Sequence, residues 1–376
     1  MCNQINQIKL MKRITYIISL ALAVFSLDGC INIDDLDPWC GPSPSTGIPS
    51  STTANCYIVS NPGSYSFPTV KGGSTETVGT VVYADVLWES FGTDVRPSVG
   101  DLISSVSYSS GKISYTVASP FKEGNAVIAA RDASGTILWS WHIWLTDQPL
   151  AQVYYNNAGT MMDRNLGATS ATPGDVGALG LLYQWGRKDP FLGSSSISSN
   201  TLAKSTITWP ASVPSSSSKG TIDYATSHPT TFITYNDGNY DWCFSGSSAT
   251  DDTRWQSGKT IYDPCPVGWR VPDGGKAGVW SRASEARSFD HTYDSVDRGM
   301  NFSGNFADGS TIWYPASGYR SRSDGTLDDV GINGDYWSVA PNGYSAYDLI
   351  FNDYGDVNPS YYIDRAYGQS VRCLQE

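Results

Sequence analysis

Charged side chains are scarce in this sequence, and basic ones are the scarcest. Only 16% of the 376 residues are charged, with 24 Lys and Arg against 36 Asp and Glu and a net charge of −12. An average soluble domain has roughly 25% charged residues. Nucleic-acid binding depends on clustered Lys and Arg, so we expect no nucleic-acid partner. Ala, Leu, Glu and Lys do not dominate the composition, which argues against a helical bundle.

Aromatic residues, by contrast, make up 12% of the chain, beside 37 Gly and 20 Pro. Disordered segments have few aromatic residues and a high charge density, so this composition argues against disorder. The balance is typical of β-rich, loop-heavy extracellular domains, and the length predicts two domains.

Long hydrophobic runs are also missing, apart from one near the start. Residues 14–25 form an apolar stretch directly behind basic residues. The stretch is too short to span about 30 Å of hydrocarbon as a helix, but a basic flank before a short apolar core is typical of a signal peptide. We therefore predict a signal peptide over residues 1–29, with Met1 or Met11 as its start.

This run ends in the sequence LDGC (27–30), which resembles a bacterial lipobox, so Cys30 would carry the lipid. Asp28 departs from the small or apolar residue usual at its position. The acidic stretch 34–37 resembles the surface-export signal of Bacteroidetes lipoproteins. These resemblances imply an outer-membrane lipoprotein that is anchored to the membrane by lipid and exposed at the cell surface. Residues 30–55, rich in Ser and Pro, would be the lipidated Cys and a flexible linker.

Seven cysteines are present, and the signal peptide and the lipid site account for Cys2 and Cys30. The other five are Cys40, Cys56, Cys243, Cys265 and Cys373. They would lie in an oxidising compartment, where disulfides form. Because five is an odd number, at least one of these cysteines would stay unpaired or would pair with another chain. Cys40 and Cys56 are close enough in sequence to pair.

No CxxC spacing occurs and the His residues are scattered, so we predict no metal centre and no cofactor. His142 is expected to be a hydrogen-bonded sheet residue.

Residues 56–150 carry the signals of short strands and turns. Residues 113–117 alternate with a period of two and follow residues 103–108 across Ser-Ser-Gly, which predicts a hairpin. A second hairpin is predicted between residues 126–130 and 137–144. Several short strands at this spacing predict an all-β sandwich.

Residues 151–376 predict an α+β domain with long loops. Helices are expected over 178–185 and 277–289, where apolar residues recur at helical spacing. The Ser-rich stretch 193–220 is expected to be an extended surface loop. Alternating segments predict strands at 153–155, 160–165, 312–314, 335–338, 346–351 and 370–374.

Ordered motifs in this second region resemble the Fibrobacter succinogenes major paralogous domain. They are MDRNLGA (162–168), LYQWGRKDPF (182–191), YDPCPVGWRVP (262–272), YWS (336–338), AY (346–347) and SVRC (370–373). This family occurs in many Bacteroidetes surface lipoproteins and fimbria-associated proteins, and it is similar to C-type-lectin-like folds. The resemblance implies a multidomain chain with an α+β C-type-lectin-like domain over 151–376, and the N-terminal sandwich suggests a fimbrillin-like module.

The resemblance also implies one disulfide. In lectin-like folds a Cys near the second helix pairs with a Cys in the final strand, and Cys265 and Cys373 occupy those positions. Such a bridge would close a loop of about 109 residues and remove roughly 4–5 kcal/mol of unfolded-state entropy. Cys243 would then be left over.

Two sets of residues are candidates for ligand binding. The loop 324–335 gathers oxygen atoms that would bind a hard cation or accept hydrogen bonds from sugar hydroxyls, unless it is an ordinary solvated loop. Tyr240 and Trp242 lie in loop-like sequence, where rings stack on the C–H faces of sugars or pin the loop to the core. The loop residues are Asp324, Asp328, Asp329, Asn333 and Asp335.

Calcium-dependent lectins use a Glu-Pro-Asn or Gln-Pro-Asp triplet together with Trp-Asn-Asp, and the sequence contains none of these triplets. The nucleophile-elbow and phosphate-loop motifs of enzymes are absent as well, so we predict a non-enzymatic protein. The expected function is adhesion or recognition, with a glycan or a host or partner protein as ligand. One alternative is a tip or accessory subunit of a fimbria, assembled with other fimbrial subunits. A second is a glycan-processing accessory or hydrolase, because paired carboxylates are set by space rather than by sequence.

Overall fold

Strands make up most of the secondary structure, and the described residues contain two short α-helices. The computed structural model describes residues 53–236, 240–244, 251–285, 290–303 and 310–376. The predicted signal peptide, Cys30 and nearly all of the linker lie outside these residues. Within the described ranges, no helix is long and apolar enough to cross a membrane.

Seven strands between Cys56 and Leu145 form two facing sheets. They are β1 (Cys56–Val59), β2 (Gly63–Pro68), β3 (Tyr83–Ser90), β4 (Ile103–Ser109), β5 (Lys112–Val117), β6 (Gly124–Arg131) and β7 (Ile137–Leu145). One sheet has the order β1-β7-β6-β3 and the other has the order β2-β5-β4. Both predicted hairpins, β4–β5 and β6–β7, are confirmed. Ser110 and Gly111 turn the first with φ of 49° and 78°, the backbone that a two-residue hairpin turn requires.

The two sheets enclose an apolar layer, which gives this region a sandwich-like arrangement. Phe67 and Ile113 contribute from one sheet and Trp141 from the other, and the Phe67 and Trp141 rings lie 5.0 Å apart. His142 points to the opposite face of β7, where its Nε2 lies 2.8 Å from Oδ1 of Asn125. The prediction of a hydrogen-bonded sheet histidine is confirmed.

This opposite face packs directly on the rest of the chain. Val127 and Trp144 share a buried cluster with Trp185 and Cys265. Trp144 Nε1 donates to the carbonyl of Ala168, at 2.9 Å. Residues on both sides of the predicted boundary at position 150 therefore share one core, and the described residues belong to one compact unit.

The second region continues with seventeen described strands. They are β8 (Ala151–Tyr154), β9 (Gly159–Met162), β10 (Leu181–Gln184), β11 (Phe191–Leu192), β12 (Val213–Pro214), β13 (Ile233–Thr234), β14 (Trp269–Arg270), β15 (Asp290–Asp294), β16 (Gly299–Ser303), β17 (Thr311–Pro315), β18 (Tyr319–Arg320), β19 (Leu327–Asp328), β20 (Gly334–Asn342), β21 (Ser345–Phe351), β22 (Val357–Asp364), β23 (Gly368–Ser370) and β24 (Leu374–Gln375). The largest sheet has the order β11-β10-β23-β20-β21-β22, with β18 on β23 and β19 on β18. Smaller sheets are β14-β24-β9-β8, β15-β16-β17 and β12-β13.

Both helices are six residues long. Helix α1 (Ile222–Ser227) begins after Thr221, whose side chain accepts a hydrogen bond from a backbone N–H of the first turn. Helix α2 (Val279–Ser284) lies within the predicted helix 277–289, of which 286–289 lie outside the described residues.

Two local predictions are corrected by the structure. The helix predicted over 178–185 is wrong, because Leu181–Gln184 is strand β10. This strand is buried on both faces, so it shows an apolar run without the alternation of a half-buried strand. The Ser-rich stretch 193–220 is also partly buried, because Ser90 Oγ donates to the carbonyl of Lys204 at 2.6 Å and Ala203 lies in the core.

The predicted disulfide between Cys265 and Cys373 is confirmed, with Cα atoms 6.1 Å apart. It joins the segment before β14 to the segment before β24, across 108 positions of sequence. Cys56 is a buried thiol, while Cys40 lies outside the described residues. Burial raises the pKa of the Cys243 thiol to about 11.

Candidate functional site

The guanidinium of Arg322 lies among three tyrosine rings. Its Cζ is 5.0 Å from the ring centroid of Tyr235, 5.2 Å from that of Tyr240 and 5.5 Å from that of Tyr367. At these distances a cation is attracted to the ring faces. Arg322 also forms an ion pair with Asp364, which limits where the guanidinium can move.

Strand pairing and loop hydrogen bonds hold these rings in place. The backbone N–H of Tyr235 donates to the carbonyl of Arg322 at 2.9 Å, and the Tyr235 and Tyr240 rings are nearly parallel with centroids 6.1 Å apart. Tyr319 meets Tyr367 edge to face at 5.3 Å. Tyr240 is the exposed member of the group, with 41% of its surface open to solvent.

The loop 324–335 joins this group through Tyr319. The hydroxyl of Tyr319 donates to Oδ2 of Asp329 at 3.1 Å, and Nδ2 of Asn333 donates to the same oxygen at 3.2 Å. Burial and the Asp329 carboxylate raise the pKa of Tyr319. Asp328 pairs with Tyr319 across β18 and β19 and is exposed.

The structure thus brings two separately predicted sets, Tyr240 and the loop, into one surface. We call it the Arg322 surface and define it as Tyr235, Tyr240, Tyr319, Arg322, Asp328, Asp329, Asn333 and Tyr367. It offers ring faces, carboxylate and amide oxygens and one guanidinium side by side. Partial burial and the charges of Asp329 and Asp324 raise the pKa of Asp328. Burial also raises the pKa of Tyr367, against the opposing charge of Arg322.

Asp324 shapes the loop rather than the surface. Its Oδ1 accepts hydrogen bonds from the backbone N–H and the hydroxyl of Thr326, at 2.9 Å and 2.7 Å. Such bonds from an aspartate to the residue two positions ahead stabilise a turn. Asp324 therefore sets the conformation from which Asp328 and Asp329 follow.

Trp242 lies in the core. Only 1% of its surface is exposed, and its Nε1 donates to the carbonyl of Trp185 at 2.7 Å. The guanidinium of Arg254 lies 4.7 Å from its ring and forms an ion pair with Asp241. The Trp242 ring therefore anchors the segment 240–244, which presents Tyr240. The ring itself has no face open to a ligand.

Asp335 is buried as well, and it lies close to a second buried carboxylate on the neighbouring strand. Asp335 and Asp348 are each 1% exposed. Burial, together with the charge of Asp348, raises the pKa of Asp335 well above its usual value. Burial raises the pKa of Asp348 to about 7. Nε2 of Gln369 donates to Oδ2 of Asp348 at 3.1 Å.

Sequence reasoning missed the residues that connect the site. Tyr319 and Arg322 directly precede the predicted loop, and Tyr367 and Asp364 precede strand β23. Tyr319 and Arg322 beside an acidic loop are a usable sequence signal, but they meet Tyr367 and Asp364 through the pairing of β18 with β23 at Arg320 and Gly368, which the sequence does not show.

The described residues contain no group of three or more His, Cys, Asp or Glu side chains placed to hold a metal ion. No protein-family model, no curated protein and no solved structure matches the chain. Its function is therefore inferred from the Arg322 surface itself and from the sequence signals at the N-terminus.

Proposed function

We propose that this chain is a lipid-anchored recognition protein of the bacterial cell surface, which binds carbohydrate at the Arg322 surface and catalyses no reaction. The observation that carries the proposal is the exposed ring of Tyr240 beside Arg322, with the fixed oxygens of Asp329 and Asn333 on the same surface. The LDGC motif and the acidic stretch behind it support the anchor and the location.

The chemistry of this surface matches that of a saccharide. Sugar rings have apolar C–H faces, which stack on flat aromatic rings, and they carry hydroxyls that both donate and accept hydrogen bonds. Tyr240 supplies the ring face, Asp328 and Asp329 accept, and Arg322 donates. A few fixed polar groups beside aromatic side chains are the usual composition of a small-ligand site.

The groups of the surface are held before any ligand arrives. Asp329 is fixed by two hydrogen bonds, and Arg322 is fixed by an ion pair and by its tyrosine neighbours. Because side chains that are already ordered lose less entropy on binding, such an arrangement favours affinity. The Cys265–Cys373 bridge, found where the lectin-like resemblance implies it, supports a C-type-lectin-like fold for the region that carries the surface.

A glycan array probed with the purified protein, with and without EDTA, tests the proposal. We expect binding to a restricted set of glycans. Absence of any bound glycan in both conditions would refute carbohydrate recognition and would leave a protein ligand or a fimbrial role as the candidates to test.

A further inference from the structure

Two buried carboxylates lie side by side on one face of the largest sheet. The register between β20 and β21 places Asp335 opposite Ile350 and Trp337 opposite Asp348, so the two Asp side chains are diagonal neighbours on the same face. Within the described part of the chain, neither oxygen of Asp335 nor Oδ1 of Asp348 has a hydrogen-bond partner. Among the described Lys, Arg and His residues, none forms an ion pair with either carboxylate.

A fourth buried oxygen atom, Oε1 of Gln369, belongs to the same cluster. Gln369 lies on β23, which runs parallel to β20 with Ser370 at the level of Tyr336, so Gln369 is beside Asp335. Its side chain is fully buried, and its Nε2 donates to Asp348. This bond holds the amide beside Asp348, and its Oε1 has no hydrogen-bond partner among the described residues.

This set of atoms is complementary to a hard cation. An ionised carboxylate that is buried without a partner carries a large free-energy cost, and two of them side by side also repel each other. One divalent ion cancels both charges. Carboxylate and amide oxygens are ligands that Ca²⁺ takes readily, whereas Zn²⁺ prefers nitrogen and sulfur.

We propose that Asp335, Asp348 and Gln369 hold a calcium ion inside the largest sheet. The site uses two carboxylates and one amide oxygen. It therefore does not count among groups of three or more His, Cys, Asp or Glu side chains, of which the described residues contain none. Asp335 follows Asn333 by two residues, so the ion would fix the end of the loop that contributes to the Arg322 surface. The proposal does not depend on carbohydrate binding.

Thermal unfolding of the full-length protein tests the site directly. The protein is treated with EDTA, freed of chelator and titrated with CaCl₂ alone. We expect the unfolding midpoint to rise by about 5 °C at a calcium concentration 100-fold above the dissociation constant. Tb³⁺ as a substitute ion should show luminescence sensitised by Trp337, which lies directly opposite Asp348.

Two variants distinguish calcium binding at the buried site from calcium binding at the exposed loop. Asp335→Asn should abolish the calcium shift and the terbium signal, whereas the control Asp324→Asn, at an exposed turn position, should retain both. Without calcium, Asp335→Asn should unfold at the same temperature as the wild type or higher, because the amide matches the carboxyl group in size and cannot ionise beside Asp348.

A calcium shift that survives in Asp335→Asn would overturn the site. So would the absence of any shift in the wild type, an equal shift with MgCl₂, or a calcium-free Asp335→Asn protein that unfolds below the calcium-free wild type. Each of these results is readable without a glycan, so failure here is distinguishable from failure of the carbohydrate proposal.

Discussion

The hydroxyl of Tyr319 and Oδ2 of Asp329 lie 3.1 Å apart and share a hydrogen bond. Asp329 has a positive φ of 52°, so its backbone turns sharply at the point where its side chain is held. Asn333 donates to the same oxygen from within the loop. The carboxylate at the edge of the Arg322 surface is therefore fixed from two sides.

Replacing Tyr319 by Phe removes this hydrogen bond and keeps the ring against Tyr367. We expect glycan affinity to fall by about 3–10-fold, the effect of one ordinary hydrogen bond, as measured by calorimetric titration. Tyr65→Phe is the matched control, because the Tyr65 hydroxyl donates to the carbonyl of Asn61 in the sandwich. Equal affinity in wild type and Tyr319→Phe would contradict the role given to Asp329.

Replacing Arg322 by Met removes the charge that the three tyrosines surround. We expect at least about 10-fold weaker glycan binding, because the lost guanidinium is a charge-assisted donor. The change in thermal midpoint should be small, because Arg322 is partly exposed. Lys122→Met is the control, since Lys122 also pairs with an Asp and lies 5.6 Å from a ring, that of Phe91. If the two variants weaken binding equally, Arg322 has no special role.

Replacing Cys265 by Ser opens the bridge to Cys373. We expect the free energy of unfolding to fall by about 2–5 kcal/mol, because the unfolded chain regains the freedom of a long loop. Denaturant titration with and without reductant measures the effect: reductant should bring the wild type to the midpoint of the variant and leave the variant unchanged. Cys56→Ala, at a thiol outside the bridge, should keep the response to reductant. A wild-type midpoint that is insensitive to reductant would contradict a stabilising bridge.

The buried imidazole of His142 makes stability depend on pH. Burial lowers the pKa of His142 to about 3, whereas the unfolded chain binds that proton near pH 6.5. Between these values the unfolded state binds more protons, so stability is lost as the pH falls, by about 1.4 kcal/mol per unit well below pH 6.5. His142→Gln should remove this slope while its amide still faces Asn125. Equal slopes for the two proteins between pH 5.5 and 4, measured by denaturant titration, would show that His142 is protonated in the fold.

The sequence predicts a strand correctly where one face of the strand is buried and the other is exposed to solvent. The hairpin β4–β5 follows from this alternation of side chains, and both β4–β5 and β6–β7 follow from turn residues that accept positive φ. The helix prediction over 178–185 is wrong at strand β10, because both faces of this strand are buried and its sequence lacks the alternation that distinguishes a half-buried strand from a helix.

The candidate site was predictable only in part, because its parts come from distant segments. The acidic loop and Tyr240 stand out by composition, but Arg322 and Tyr367 join them only through pairing between strands. Trp242 and Asp335 are predicted as ligand-binding residues, but the tertiary structure buries both of them. Nothing in their neighbours along the chain indicates that the tertiary fold encloses them.

Binding of the strongest array glycan to wild type, Tyr240→Ala and Tyr354→Ala tests the central claim most directly. Tyr354 is exposed in the turn between β21 and β22, whereas Asp364, the partner of Arg322, lies at the far end of that hairpin. We expect Tyr240→Ala to bind at least about 10-fold more weakly than wild type, and Tyr354→Ala to bind as wild type does. Wild-type affinity in Tyr240→Ala would contradict carbohydrate recognition at the Arg322 surface.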